Sequence, residues 1–289
     1  MDNEQNTQPA AAPAETPMPA LDIVLASASP RRKQLLEDAG VRFVVHASEV
    51  DETLEPDLLA DPPEACKKLA ERKAGAVVQE VLAEDYTGMA AVIGADTMVV
   101  CEGEIFGKPV SLSDAKRMLR CLSGRTHEVL TAVSVWMVAA PEPENISLGF
   151  RTFVDRSAVT FRELTDEEIV DYLRKGESFD KAGAYAVQGA GADLVARVDG
   201  AMDTVIGLPV GRLLEEFPDF AGSASGRTAN DSTLGGCAAR SLSRVEGSHI
   251  EMRFACALPT IPRAATSLAD LLRQPMAFST YRPSSHCEM

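Results

Sequence analysis

The strongest constraint on this chain is an alternation. Between Leu21 and Phe217, short apolar runs of strand type take turns with segments of helical period. Leu21-Asp22-Ile23-Val24-Leu25 reads as a short buried strand. The small-residue turn Ala26-Ser27-Ala28-Ser29 follows. Pro30 then stands in the first turn of a helix, where its missing N–H has no partner to lose. That helix puts Leu35, Leu36 and Ala39 on one face, and Gly40 ends it. Val41–Val45 reads as a second strand and Pro63–Leu82 as an amphipathic helix. Ala90–Val100 is an apolar strand, interrupted on this reading by Gly94-Ala95-Asp96-Thr97. Ser113–Leu122 is predicted to be a helix with Ser113 as its N-cap. Glu128–Ala139 and Ser147–Phe161 read as long strands joined through Pro141–Asn145. Thr165 caps a helix over Asp166–Lys175 with acids in its first turn. Ala184–Val187 and Leu194–Val198 read as short strands, and Pro209–Phe217 as a last helix. An α/β fold with a mixed central sheet follows, because the long strand pair adds antiparallel character to the alternation.

The ends differ from this middle. Residues 1–20 are rich in Pro, Ala and acids and read as a disordered arm, without the basic start and apolar stretch of a signal peptide. After Phe220 the composition changes: residues 221–289 hold seven arginines and no lysine. The expected organisation is an arm over 1–20, a catalytic domain over 21–218 and a low-order extension over 219–289. The most apolar run, Val129–Ala140, is too short to span a bilayer and carries Thr131 and Ser134. With 28 basic and 43 acidic residues the net charge is −15, which argues against a nucleic-acid coat but not against a small anionic ligand. The cysteines at 66, 101, 121, 237, 256 and 287 form no CxxC, so free thiols and a cytoplasmic setting are expected.

Three constellations carry possible chemistry. Ser27-Ala28-Ser29-Pro30-Arg31-Arg32-Lys33 joins a strand to a helix N-terminus, which attracts anions, and its cations add to that. The bland alternative is a solvated basic turn. Asp96, in Gly94-Ala95-Asp96-Thr97, is a carboxylate in a buried strand. It either ligates Mg²⁺, accepts a proton from water, or caps a turn. Lys108 sits in a Gly-Lys-Pro turn from which it can reach across a cleft. The third segment runs from Phe179 to Gly189. There Asp180 and Lys181 lie beside small residues, and Gln188 offers both a donor and an acceptor. Glu49, Asp51 and Glu52 form an acidic cluster, either cation-binding or simply solvated. Lys73 points either into a cleft or to water. His46 and His127 have no catalytic partner at a recognisable spacing and are assigned to structure. Cations for a polyphosphate, with carboxylates for a metal and a water, suit metal-assisted cleavage of a phosphoanhydride.

The sequence resembles the Maf family of nucleoside triphosphate pyrophosphatases. The matching segments are 25–32, Val50-Asp51-Glu52, Leu69–Lys73, Gly94–Thr97, Gly103 through Pro109, Leu122–His127, Asp180–Tyr185 with Gln188-Gly189, and Gly207-Leu208-Pro209, in family order. Departures are Ala186, where the family usually has Gly, and the segment 200–203. The resemblance implies an α/β fold with two lobes around a cleft, like that of inosine triphosphate pyrophosphatases. It implies hydrolysis of a nucleoside triphosphate to monophosphate and pyrophosphate with a divalent cation, Mg²⁺ or Mn²⁺. It makes Asp96 the proton acceptor and a metal-proximal carboxylate, with Glu52 assisting the metal. Ser27, Arg31, Arg32, Lys73, Lys108 and Lys181 become phosphate contacts. Arg31, Thr97 and Gln188 match the specificity positions of the subfamily that prefers dTTP and UTP, modified pyrimidines being a further possibility. The alternatives are the same reaction on 7-methyl-GTP or ITP, and a nucleotide-binding regulator of septum formation. A homodimer is also implied, with a small-molecule nucleotide as substrate and neither nucleic acid nor membrane as partner.

Overall fold

A computed structural model describes residues 20–222 apart from 48 and 144. The expected N-terminal arm and nearly all of the C-terminal extension lie outside the described residues.

In chain order the elements are β1 (Leu21–Leu25), α1 (Pro30–Asp38), β2 (Val44–Val45), α2 (Pro56–Leu59), α3 (Pro62–Ala83), β3 (Gly88–Cys101), β4 (Glu104–Phe106) and α4 (Leu112–Leu122). Then come β5 (Thr126–Glu142), β6 (Asn145–Phe161), α5 (Asp166–Arg174), β7 (Val195–Asp199), α6 (Met202–Ile206), α7 (Val210–Glu216) and α8 (Asp219–Gly222). The seven strands form one sheet in the order β2-β1-β3-β5-β6-β7, with β4 on β3. β1 pairs parallel with β2 and β3, and the remaining pairs are antiparallel, so the sheet is mixed as expected.

β3 is not interrupted. Gly94 through Thr97 stay in continuous register with β5. The glycine serves packing instead: a Cβ there would lie 2.5 Å from the carbonyl oxygen of Ala70 and 2.7 Å from the amide nitrogen of Ala74, both in α3. α3 can therefore lie hard against the strand. Its start is fixed by Asp61, whose side chain accepts from the Glu64 N–H, with prolines in the first turn.

Local differences from the sequence reading have local causes. The N-cap of α4 is Ser111, whose hydroxyl accepts from the Asp114 N–H; Ser113 lies inside the helix. Ala184 does not begin a strand. It ends a short 3₁₀ turn, Ala182–Ala184, with φ of 60° after Gly183 at 69°. α2, β4 and α6 are too short to show a period. Thr165 does cap α5, in a full capping box with Glu168.

Side chains alternate across the sheet. The even-numbered face of β3 packs on α3, with Ala90, Val92, Ala74, Val77 and Trp136 in one cluster. The odd-numbered face carries two separate cores. One joins Ala91, Ile93, Ala95, Val133 and Phe153 to α1 and α7. The other joins Val99, Val129, Val159 and Phe161 to α4 and α5. Between them runs one polar rung in cross-strand register: Thr97 on β3, Thr131 on β5, Asp155 on β6. The two cores on this face form two lobes, and of the rung between them Thr97 lines the cleft.

Candidate active site

The cleft opens where the sheet lacks a neighbour. β1 pairs with β3 only as far as Leu25 opposite Ile93, and β4 takes up the same edge only from Val99. Residues 94–98 pair with β5 on one side and with no strand on the other among the described residues. The Ala26 N–H donates to the Ile93 carbonyl at 2.8 Å. Main-chain direction alternates along a strand, so the amides and carbonyls of Ala95 and Thr97 face this gap. Pro30 and the turn before it end β1 here. Glu102 and Gly103, both with positive φ, fold β4 back at the other end.

The resulting cleft has a volume of about 750 Å³. Ser27, Arg31, Arg32, Glu52, Lys73, Asp96, Thr97, Lys108, Lys181 and Gln188 all line it. The structure thus gathers every site residue expected from the sequence. Glu49 is exposed and does not line the cleft, and the Asp51 carboxylate accepts from the Thr53 N–H at 2.8 Å. Of the acidic cluster, only Glu52 reaches the site.

On the α3 side the site is ionic. Lys73 Nζ lies 2.6 Å from Asp96 Oδ1 and 2.9 Å from Glu52 Oε1. Lys73 and Asp96 side chains are 13% and 10% exposed, whereas Glu52 is 46% exposed. Lys108 Nζ approaches the other oxygen of Glu52 at 3.6 Å. Burial works to raise the Glu52 pKa, but Lys73 and Lys108 outweigh it and hold the carboxyl below its ordinary range. Beneath the pair, the Cys66 thiol donates to the Asp96 carbonyl at 3.4 Å and lies 4.0 Å from Asp96 Oδ2. Burial, with the Asp96 charge, pushes that thiol up to about 12. It therefore stays protonated and does not act as a nucleophile.

On the opposite face the site is built from one guanidinium with neutral hydroxyls and carbonyls around it. Arg32 donates from Nε to the Gly207 carbonyl at 2.8 Å, from one terminal nitrogen to Ser27 Oγ at 3.2 Å, and from the other to Thr97 Oγ1 at 3.1 Å. Burial lowers the pKa of this guanidinium, with Asp96 pulling the other way. The Thr97 and Thr131 hydroxyls are 3.1 Å apart, and Thr131 donates to the Thr204 carbonyl at 2.7 Å. The Thr204 hydroxyl continues to Asp155 at 2.5 Å, which Arg212 approaches at 3.4 Å.

The third wall comes from the segment after Ser178. Lys181 is 13% exposed and pairs with Asp180 at 2.6 Å. Burial works to raise the Asp180 carboxyl, yet the bond and charge of Lys181 bring it below its usual value. The Gly183 N–H donates to the Gly107 carbonyl at 3.1 Å, which ties this wall to the Lys108 turn. Arg31 and Gln188 face the same space. His127 is buried and does not itself line the cleft; it bonds the hydroxyl of Tyr185, which does, at 2.8 Å.

A profile of the family described as Maf-like protein matches residues 22–220. The chain belongs to the Maf family. A dTTP/UTP pyrophosphatase of Bacillus thuringiensis subsp. konkukian is 44% identical over 198 residues, which cover 68% of this chain and 95% of that protein. A dTTP/UTP pyrophosphatase of Citrifermentans bemidjiense is 45% identical over 188 residues, covering 65% of this chain and 90% of that one. A solved Mycobacterium abscessus nucleoside-triphosphatase / dITP/XTP pyrophosphatase aligns with 66% of this chain and 90% of its own, at a TM-score of 0.32 and 13% identity. That likeness is too slight to carry an argument.

Several residues that back this Maf cleft gave no sign in the sequence of the contacts they make, Gly207 included, although it stands in a matching segment. Thr131 appeared only as a polar break in an apolar run. Cys66, Thr204 and the Gly207 carbonyl stand far in sequence from the groups they hold. The Lys73–Asp96 bridge depends on the close approach that Gly94 allows, and no spacing rule predicts it.

Proposed function

We propose that this chain hydrolyses dTTP and UTP to the monophosphate and pyrophosphate, as the names of its Maf relatives suggest, and that it works in the cytoplasm. The observation that carries the reading is the bridge of Lys73 between Asp96 and Glu52, placed beside a cationic turn at a gap in the sheet. No helix among the described residues is long and apolar enough to cross a membrane.

The geometry supports a role for each group. Arg31, Lys108 and Lys181, with the Ser27 hydroxyl and the start of α1, bind and orient the triphosphate. Arg32 has N–H groups left for a phosphate oxygen beyond those bonded to protein. Lys73 anchors Asp96 Oδ1, which leaves Oδ2 to take the proton of the water that attacks the α,β-anhydride. The anhydride opens and pyrophosphate leaves. The lobes hold the base and keep bulk water from the reacting bond.

The carboxylates fit a divalent ion of one particular kind. Among the described residues no three His, Cys, Asp or Glu side chains cluster as a metal cage. Glu52 and Asp96 instead offer two carboxylates, a set that suits an ion completing its shell with substrate oxygens and water. Mg²⁺ or Mn²⁺ held there would neutralise phosphate charge. The test is pyrophosphate release from dTTP, UTP, CTP, 7-methyl-GTP and ITP, alongside Asp96→Ala. Release from dTTP and UTP that falls at least about a hundredfold in the variant is expected. Release from another base alone would overturn the substrate, and near-wild-type turnover in the variant would overturn the role of Asp96.

A further inference from the structure

The hydroxyls facing the cleft from the Arg32 side do not present the same chemistry. A hydroxyl has one proton and two lone pairs. Ser27 Oγ accepts from the Ser29 N–H at 3.2 Å and from Arg32 at 3.2 Å. Its lone pairs are taken, and its proton remains for a ligand. Ser27 is therefore a donor to the cleft, as a phosphate oxygen requires.

Thr97 is arranged the other way. Thr131 is fully buried, and its one proton goes to the Thr204 carbonyl, which can only accept. The 3.1 Å contact between Thr131 and Thr97 is then a hydrogen bond only if Thr97 donates. Arg32 can only donate, so Thr97 accepts from it. What Thr97 has left for a ligand is a single lone pair. It cannot serve a phosphate oxygen, and it calls for a ligand group that carries a proton.

Among pyrimidine bases that requirement discriminates. Uracil and thymine carry a proton on N3; cytosine has a lone pair there. Gln188, lining the same cleft, can donate to a carbonyl flanking N3. We propose that Thr131 is a positioning residue that fixes the Thr97 hydroxyl as an acceptor, so that the cleft selects bases with an N3–H and rejects cytosine. The inference rests on the pyrimidine reading above and deepens it. A lone pair set against a lone pair leaves both unsatisfied in a desolvated site, and such mismatches discriminate strongly.

The test is calorimetric binding of non-hydrolysable α,β-imido analogues of UTP and CTP to the full chain with Mg²⁺. Wild type is expected to prefer the UTP analogue by at least about tenfold. Thr131→Ser keeps the hydroxyl and should keep the preference. Thr131→Val frees the Thr97 proton to turn toward the ligand, and the preference should shrink to within about threefold. A merely structural Thr131 would weaken both analogues alike and leave their ratio unchanged; that result overturns the proposal. If circular dichroism shows Thr131→Val unfolded, Thr97→Val decides: loss of the preference supports the proposal and its retention overturns it. Wild-type binding without a preference also overturns it. Hydrolysis is read separately. Failure to release pyrophosphate from dTTP and UTP would sink the reaction, while the binding ratio decides the base rule.

Discussion

Asp96 and Thr97 are neighbours on one strand, yet the two sides of the sheet treat them in opposite ways. The Asp96 side is held by charge, with Lys73 between two carboxylates and one of these half open to water. The Thr97 side is held by hydroxyls and carbonyls, with the Arg32 guanidinium at one end and the Asp155–Arg212 pair at the other. Charge tolerates loose geometry and acts at a distance, which suits a triphosphate and a moving proton. A hydroxyl relay acts only at bonding distance but fixes which partner donates, which suits recognition of a base. On the proposed reading, the contrast puts the attacking water on the Asp96 side and the choice of base on the Thr97 side.

The largest effect expected from breaking one side alone comes from Gly94→Ala. The added methyl meets backbone of α3, which cannot yield as a side chain can, and a loss of about 3 kcal/mol is expected in chemical denaturation. α3 carries Lys73, so pyrophosphate release should fall as well, while the preference between UTP and CTP analogues persists. A loss of that preference would mean that the faces are not independent.

Lys73→Met removes the charge and keeps the stem. It leaves Asp96, only 10% exposed, without its cation. A loss of about 2 kcal/mol is expected, less than for a wholly buried pair because Glu52 and water reach the site. Denaturation midpoints equal to wild type would show that the bridge contributes nothing to folding.

The smallest effect sharpens the comparison by pH. The folded Glu52 pKa lies below its ordinary 4.5, despite the opposing effect of burial. A carboxyl lowered in the fold contributes stability that is present above its unfolded pKa and lost as pH falls through the folded value. Glu52 is 46% exposed, so about 0.5 kcal/mol is expected. Glu52→Gln should flatten that part of the acid limb in a denaturation series across pH 5 to about pH 3. An unchanged limb would remove Glu52 from the charge balance.

Much of this was legible in the sequence, for reasons that also explain the rest. Charged groups at turns and helix starts announce themselves, and Arg31 and Lys108 were found that way, whereas the phosphate role of Lys181 came from the family resemblance. Thr165 was read as a cap from the acids that follow it directly, and the structure adds the bond back from Glu168. Gly94 was misread because a glycine in a strand signals a break as readily as a close approach, and only α3 tells them apart. Thr131 and Thr204 were missed because their role lies in proton direction across three strands and a helix, which leaves no local pattern.

The gap beside β3 has one more consequence. The width of the opening is set by where β1 stops and β4 starts, not by the size of any side chain around it. Its rim can therefore be rewritten residue by residue while its span stays constant. A ligand that enters meets the main-chain groups of Ala95 and Thr97, which no strand among the described residues takes up.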